Sequence, residues 1–266
     1  MSWTLFKTTA RANWPLLLVI TLILMIYVPT AIAMFNPESA EDMEAMLGLM
    51  PEAMIRAMGF VDLGTDLTRY LGNYLYGFIM LAFPTIYTVM LANRLIARHV
   101  DSGSMAYLLT TPTTRVRIAL TQAVYLAASL FVMILFATLI AIGLSEAMFA
   151  GHLDIGGFLA LNWVTYLSLL AAAGVSFLAS CGFGEARYSL AFGAGIPALF
   201  FVFRMLSQLG GSTEWMRWLT VYSFVDVDRV LSGGPFALHA TLVLVLLAIA
   251  LPAAGIAIFN RKSLAL

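Results

Sequence analysis

Six runs of residues without Asp, Glu, Lys or Arg divide the sequence and limit what it can fold into. The first run, taken from Trp14 to Phe35, contains 22 residues. The next three contain 24, 28 and 30 residues, the fifth contains 16, and the sixth contains 31, part of it loop. A helix needs about 20 apolar residues to cross the hydrocarbon core of a bilayer. We therefore predict an all-α integral membrane protein, a single domain of residues 1–266, with spans at about residues 14–35, 70–93, 118–143, 156–181, 188–206 and 237–259.

The composition agrees with this class. The chain is 62% hydrophobic and 11% charged, whereas soluble domains carry roughly 25% charged residues. The formal net charge is zero, so no basic excess points to a nucleic-acid partner.

The first run has some features of a secretory signal peptide. Lys7 and Arg11 precede it, and Ala31-Ile32-Ala33 resembles a cleavage motif. Because the run is longer than the apolar region of a typical signal peptide, we interpret it as a retained first span.

The distribution of basic residues predicts the orientation. With the N-terminus inside, the inner segments contain nine basic and two acidic residues, and the outer segments contain five basic and twelve acidic residues. Basic residues favour the cytoplasmic side of a membrane. We therefore predict cytoplasmic N- and C-termini, a cytoplasmic loop at residues 100–117, and helical extracellular segments between spans 1 and 2 and between spans 5 and 6.

The loop at residues 100–117 has the signals of a discrete short helix between spans 2 and 3. Ser102 or Ser104 is suited to cap its start, and Pro112 biases the preceding residue away from helical geometry. Thr113 or Thr114 is suited to cap span 3. Between these signals one face of the helix carries Met105, Leu108 and Leu109.

The first extracellular segment has methionines at helical spacing, on one face. Two short helices that pack on the membrane or on neighbouring spans explain this stripe. The alternative is an adaptable surface that meets an apolar cargo, because methionine repacks easily. The stripe consists of Met43, Met46, Met50, Met54 and Met58.

The second extracellular segment, residues 204–236, contains glycine pairs and interfacial aromatic residues. We expect short helices between the glycine breaks. We also expect surface ion pairs, rather than a substrate or metal site, from Asp226, Asp228 and Arg229.

Glycine and proline also predict irregular spans. Proline lies within spans 2, 5 and 6, at Pro84, Pro197 and Pro252. In span 5, Gly193 and Gly195 precede the proline, which predicts a bent or interrupted helix.

Catalytic and energy-coupling motifs are missing from the sequence. We expect almost no polar groups in the span cores, with Asn162 and Arg204 near span ends, and no cluster of histidines and carboxylates typical of a metal or acid–base site. Neither Lys7 nor Lys262 follows a glycine, so the sequence has no P-loop. Any ATP-driven work would therefore need a second chain, and an intramembrane hydrolase is disfavoured.

The loop resembles the corresponding loop in permeases of type-2 ABC exporters. The resemblance is carried by a charged residue, Gly-Ser, a Leu-Leu pair and Thr-Pro after the second of six spans, and by a closing span that ends in residues 259–264. A departure from the family is His99-Val100-Asp101-Ser102 where many members have Glu-Arg. The matching residues are Asp101, Gly103, Ser104, Leu108, Leu109, Thr111 and Pro112.

This resemblance implies that the short helix is a coupling helix that fits a groove on a cytoplasmic ABC ATPase. It implies an interfacial helix at residues 2–13, a second contact at the turn after span 4, two ATPase copies and a second permease copy, either identical or different. ATP and Mg²⁺ would bind to the partner ATPase, and we expect no cofactor and no catalytic or metal site in this chain. The expected ATPase-coupling residues are Asp101, Gly103, Ser104, Met105, Leu108, Leu109, Pro112, Arg115, Glu185 and Arg187.

The function that these features favour is a non-enzymatic subunit of an exporter in the plasma membrane of a bacterium. The cargo would be apolar or amphipathic, such as a peptide, a drug or a lipid. The alternative is a membrane protein without transport activity, such as an assembly factor or a sensor.

Overall fold

The computed structural model describes residues 1–35, 66–106 and 113–262. In these ranges six helices are long and apolar enough to cross a membrane, as predicted. We number them spans 1 to 6: Trp3–Ala33, Leu67–Asp101, Arg115–Met148, Ile155–Gly182, Ala186–Gln208 and Pro235–Arg261. Helices suit this environment because they satisfy their own backbone hydrogen bonds where water is absent.

Several helices extend beyond the apolar runs that predicted them. Span 1 begins at Trp3, so the segment expected to form a separate interfacial helix is continuous with the span. Span 3 begins at Arg115 and continues to Met148. Bilayer thickness limits an apolar run but not the helix that contains it, and polar turns can continue a helix into the interface.

Span 4 forms the centre of the bundle and packs against spans 2, 3, 5 and 6. Small residues allow close approach at its interfaces. A Cβ added to Gly193 of span 5 would lie 3.3 Å from Ser176 Cα, and one added to Gly255 of span 6 would lie 3.3 Å from Leu178 Cα. The Ser176 hydroxyl also donates a hydrogen bond to the Gly193 carbonyl at 2.7 Å.

The main helical irregularities lie in span 2 and not in span 5. Span 5 is one helix through Pro197, so the expected interruption there does not occur. Span 2 instead comprises an α-helix at Leu67–Tyr74, a π-helix at Leu75–Ile79, and α-helices at Met80–Leu95 and Ala97–Asp101. The last two are separated by Ile96, which has φ −133° and ψ −60°.

The connection between spans 5 and 6 contains short helices between two glycine pairs, as predicted. It comprises 3₁₀-helices at Gly211–Leu219 and Val221–Phe224 and an α-helix at Val227–Leu231. We call residues 209–234 the outer segment. Gly210, Gly211 and Gly233 have φ values of 76°, 63° and 66°, which L side chains rarely adopt.

Two predicted features lie outside the described residues. One is the methionine stripe between spans 1 and 2. The other is the central part of the predicted coupling helix, which contains Leu108, Leu109, Thr111 and Pro112.

Candidate functional site

Both described ends of the chain lie at one end of the bundle. The backbone N–H of Ser2 donates a hydrogen bond to Thr121 Oγ1 at 2.9 Å. At the other terminus, the Lys262 carbonyl accepts a hydrogen bond from Arg115 Nη1 at 2.7 Å. The start of span 3 is therefore bonded to both described ends of the chain. We call residues 97–106, 113–117 and 182–187 the inner surface.

The inner surface is attached to span 4 at the helix break. The Ala97 N–H donates a hydrogen bond to Ser180 Oγ at 2.9 Å. Both residues are fully buried, so a side-chain acceptor replaces the carbonyl that a continuous helix would supply. Ser180 lies directly before the turn between spans 4 and 5. This contact joins the residues that lead into the two segments predicted to meet an ATPase.

A hydrogen-bonded turn follows the helix Ala97–Asp101. Ser104 Oγ lies 2.9 Å from His99 Nδ1 and 2.9 Å from Ser102 Oγ. Gly103 has φ 70°, which explains the glycine at this position. Thr114 caps span 3, because its side chain accepts a hydrogen bond from the Arg117 N–H.

The predicted ATPase-coupling residues of this loop differ in exposure. Asp101 and Gly103 are exposed, and Ser104 is partly buried. Met105 has no exposed surface, so it anchors the loop to the bundle. The loop therefore consists of an exposed polar turn and a buried apolar residue, Met105, that attaches it to the bundle.

The second predicted contact begins span 5. Glu185 and Arg187 form an exposed ion pair, with Nε and Oε2 2.7 Å apart. The Arg187 guanidinium also lies 4.7 Å from the centre of the Tyr188 ring. Exposed ion pairs contribute little to stability, so both side chains can exchange this contact for one with another protein.

Lys262 connects the end of span 6 to the end of span 4. Its Nζ donates to the Gly182 carbonyl at 2.9 Å and lies 3.5 Å from the Cys181 carbonyl. A cation is favourable beside carbonyls at a helix C-terminus. Burial nevertheless lowers the pKa of Lys262, because it removes water from the ammonium group.

At the opposite end of the bundle, a buried arginine makes contacts that the sequence analysis did not predict. Arg204 is 5% exposed. Its Nη1 donates to the carbonyls of Tyr76 and Gly77 at 2.9 and 3.1 Å, and its Nη2 donates to the Val225 carbonyl at 3.0 Å. One side chain therefore joins span 5, the π-helix of span 2 and the outer segment.

A second polar contact attaches the same π-helix to spans 3 and 4. Tyr76 Oη donates to Asn162 Oδ1 at 2.6 Å, and Thr138 Oγ1 lies 2.8 Å from the same oxygen. All three residues are buried. The bundle interior is thus more polar than the sequence analysis expected, and Tyr76, Thr138 and Asn162 are neutral groups that satisfy one another's hydrogen bonds there.

A cavity of about 360 Å³ opens between span 2, span 5 and the outer segment. Arg229 and Asp226 form an ion pair with Nε and Oδ2 3.2 Å apart, and Arg69 Nε lies 3.8 Å from Asp228 Oδ1. These pairs confirm the predicted ion pairing of the outer segment. The residues that line the cavity include Asn73, Arg204, Ser207, Gln208, Glu214, Arg217, Ser223, Asp226, Asp228 and Arg229.

The described residues contain no group of three or more histidine, cysteine or acidic side chains placed to hold a metal ion. Polar side chains instead bond to backbone groups at both ends of the bundle. These contacts hold neighbouring helices together.

Comparison with known families favours an efflux permease over a membrane protein without transport activity. Residues 11–260 match the family described as the C-terminal domain of the multidrug efflux system permease Rv1217c. The chain belongs to this family. The match covers most of the permease and confirms its resemblance to exporter permeases. No curated protein and no solved structure matches the chain.

The predicted cap at Thr114 is confirmed in this efflux permease, whereas its outer polar contacts were not predicted. Arg204 was visible as a basic residue close to the end of a span, where an unpaired charge is expensive. That cost indicates a buried partner, but the partners are backbone carbonyls, which leave no signal in the sequence.

Proposed function

We propose that this efflux permease is the membrane subunit of an ABC exporter and works as a dimer of permeases with two cytoplasmic ATPase subunits. ATP and Mg²⁺ bind to the ATPase subunits, and this chain supplies the path for the cargo. The complex lies in the plasma membrane of a bacterium, with the inner surface facing the cytoplasm.

The observation that supports this proposal is a hydrogen bond between the residues that lead into the two predicted contact segments. The Ala97–Ser180 hydrogen bond holds the part of span 2 just before the coupling loop against span 4, close to the turn that contains Glu185 and Arg187. A partner that pushes on this surface therefore acts on spans 2, 4 and 5 together. Chemical energy from ATP can reach the spans through such a surface without a nucleotide site in this chain.

Copurification tests the partnership. We expect the detergent-solubilised permease to bring down an ATPase, and we expect Leu108→Asp with Leu109→Asp to abolish this, because charge disfavours burial in an apolar groove. Leu219→Asp is the control, since Leu219 is 44% exposed and lies in the outer segment. Recovery of a folded permease without any ATPase, and without stimulated ATP hydrolysis, would instead favour an assembly factor or a sensor.

We propose an apolar or amphipathic cargo that moves between two permease copies along spans 2 and 5. The family description, which names a multidrug efflux permease, supports this class.

The methionine stripe at residues 43–58 would meet the cargo outside the membrane. Export of an amphipathic dye from cells should fall when Met46→Glu and Met50→Glu are combined, whereas Met46→Leu with Met50→Leu should keep it. Equal export by both variants would contradict a role for the stripe.

A further inference from the structure

The contacts of Arg204 coincide with a local change in the helix geometry of span 2. A π-helical turn is wider than an α-helical turn, and single π turns are frequent at functional sites. The π-helix Leu75–Ile79 contains both span 2 carbonyls that accept hydrogen bonds from Arg204. The guanidinium is therefore bonded to the irregular part of the span.

The charge of Arg204 has no carboxylate within ion-pair distance among the described residues. The nearby acid Asp226 forms its ion pair with Arg229 instead. Three backbone carbonyls from two separate chain segments thus surround a buried cation. These carbonyls take the place of water around the guanidinium. If the two chain segments separated, the buried cation would lose its hydrogen-bond partners.

A second contact attaches the outer segment further along span 2. Tyr222 is fully buried, and its Oη lies 2.6 Å from Thr85 Oγ1. Thr85 directs its own hydroxyl hydrogen to the Leu81 carbonyl at 2.6 Å, so Tyr222 is the donor to Thr85. The Tyr222 ring also packs against Phe200 and Phe201 of span 5. The outer segment is therefore held at two levels of the same pair of spans.

We propose that Arg204 is a positioning residue. It holds together the outer segment, the π-helix of span 2 and span 5, the three elements between which the cavity opens. Span 2 also leads into the inner turn at Asp101. A displacement that begins at the inner surface then moves the outer segment, which lines the cavity at the other end of the bundle. This last step rests on the proposed function, whereas the holding of the outer segment by Arg204 does not.

A cysteine reporter tests whether Arg204 holds the outer segment. Ser223 lines the cavity, and its Oγ is buried without a hydrogen-bond partner. Ser223→Cys in a Cys181→Ser background places one thiol in the chain, since Cys181 is the only cysteine. The rate of its reaction with a charged, membrane-impermeant maleimide is measured on purified permease without ATPase.

Arg204→Met should increase the labelling rate at least tenfold, because it removes all three bonds to carbonyls. Arg204→Lys should give a smaller increase, since an ammonium group keeps the charge but reaches fewer of the carbonyls. The control is Arg217→Met, which removes an arginine from the rim of the same cavity, where it pairs with Glu214. Its labelling rate should equal that of the parent.

The proposal is overturned if Arg204→Met labels at the parent rate, or if Arg217→Met labels as fast as Arg204→Met. Size-exclusion profiles and thermal unfolding establish that each variant is folded. If Arg204→Met does not fold, Arg204→Lys and Tyr222→Phe replace it. Both should label faster than the parent, and parent rates in both would overturn the proposal.

A second arm measures the same rate in the complex with its copurified ATPase, before and after trapping with ATP and vanadate. Trapping should change labelling of the parent at least threefold and should change labelling of Arg204→Lys less. No change in the parent overturns transmission from the inner surface. If no ATPase copurifies, the proposed function fails while the first arm still decides the role of Arg204.

Discussion

Replacing Ser180 by alanine tests how the inner surface is attached to the bundle. The hydroxyl of Ser180 accepts a hydrogen bond from the Ala97 N–H at 2.9 Å, where the break at Ile96 interrupts span 2. Both bonded residues are fully buried. Alanine removes the acceptor and creates almost no cavity, so the measured effect reports the loss of this hydrogen bond.

The structure sets the size of the expected effect. An unsatisfied buried donor costs about 1–3 kcal/mol in soluble proteins, whereas hydrogen bonds between membrane helices average about 0.6 and reach about 1.7 kcal/mol. Because the Ala97 N–H lies outside the regular helical pattern, we expect a cost of about 1–2 kcal/mol. This lowers the ratio of folded to unfolded protein by a factor of about 5–30.

Ser168→Ala is the matched control for this experiment. Ser168 lies in the same span and is also fully buried, but its Oγ has no hydrogen-bond partner. Its replacement should leave the free energy of unfolding unchanged or raise it slightly. Unfolding is followed by tryptophan fluorescence in mixed micelles with increasing dodecyl sulfate. Equal free energies of unfolding for Ser180→Ala and Ser168→Ala would refute the reasoning.

Three further predictions use the same assay. Tyr76→Phe should destabilise the fold by about 1 kcal/mol through loss of a buried hydrogen bond. Gly193→Ala should cost about 1–3 kcal/mol because it crowds Ser176, whereas Gly195→Ala, with nothing within 4 Å of the added Cβ, should be neutral or stabilising. Burial raises the pKa of Tyr222 above that of an unfolded tyrosine. The neutral Tyr222 hydroxyl therefore contributes fully to the free energy of unfolding below about pH 10, and this contribution is lost as the pH rises through the folded-state pKa. Tyr222→Phe should lack this loss of stability at alkaline pH.

The number and order of the spans were predictable because the lipid environment constrains every residue of a crossing helix. The helix bounds were less predictable, since Trp3 and Arg115 begin helices outside the apolar runs. Proline indicated the irregularity of span 2 but not the position of its break, and it did not interrupt span 5. Span 5 continues through Pro197, and the break at Ile96 has no glycine or proline beside it. At this break the Ala97 N–H bonds to Ser180 of span 4, which is distant in sequence.

The candidate sites show the same division between local and long-range signals. The turn at Gly103 and the cap at Thr114 depend on neighbours in sequence, and both positions were marked by residue type. The partners of Arg204 are 128, 127 and 21 residues away, and all are backbone carbonyls. A backbone acceptor exists at every position, so residue types cannot select the correct one before the helices pack.

Both irregular parts of span 2 are bonded to other elements, and this determines how the span can move. Ala97, after the break at Ile96, bonds to Ser180 of span 4, and the π-helix bonds to Arg204 of span 5. Between them lies the helix Met80–Leu95, about 24 Å long at 1.5 Å per residue. A helix of this length resists compression along its axis. If its ends were not bonded to other elements, the irregular parts of the span would absorb a displacement. Because both ends are held, the proposed push at the inner surface would be passed to the outer segment as long as both bonds persist.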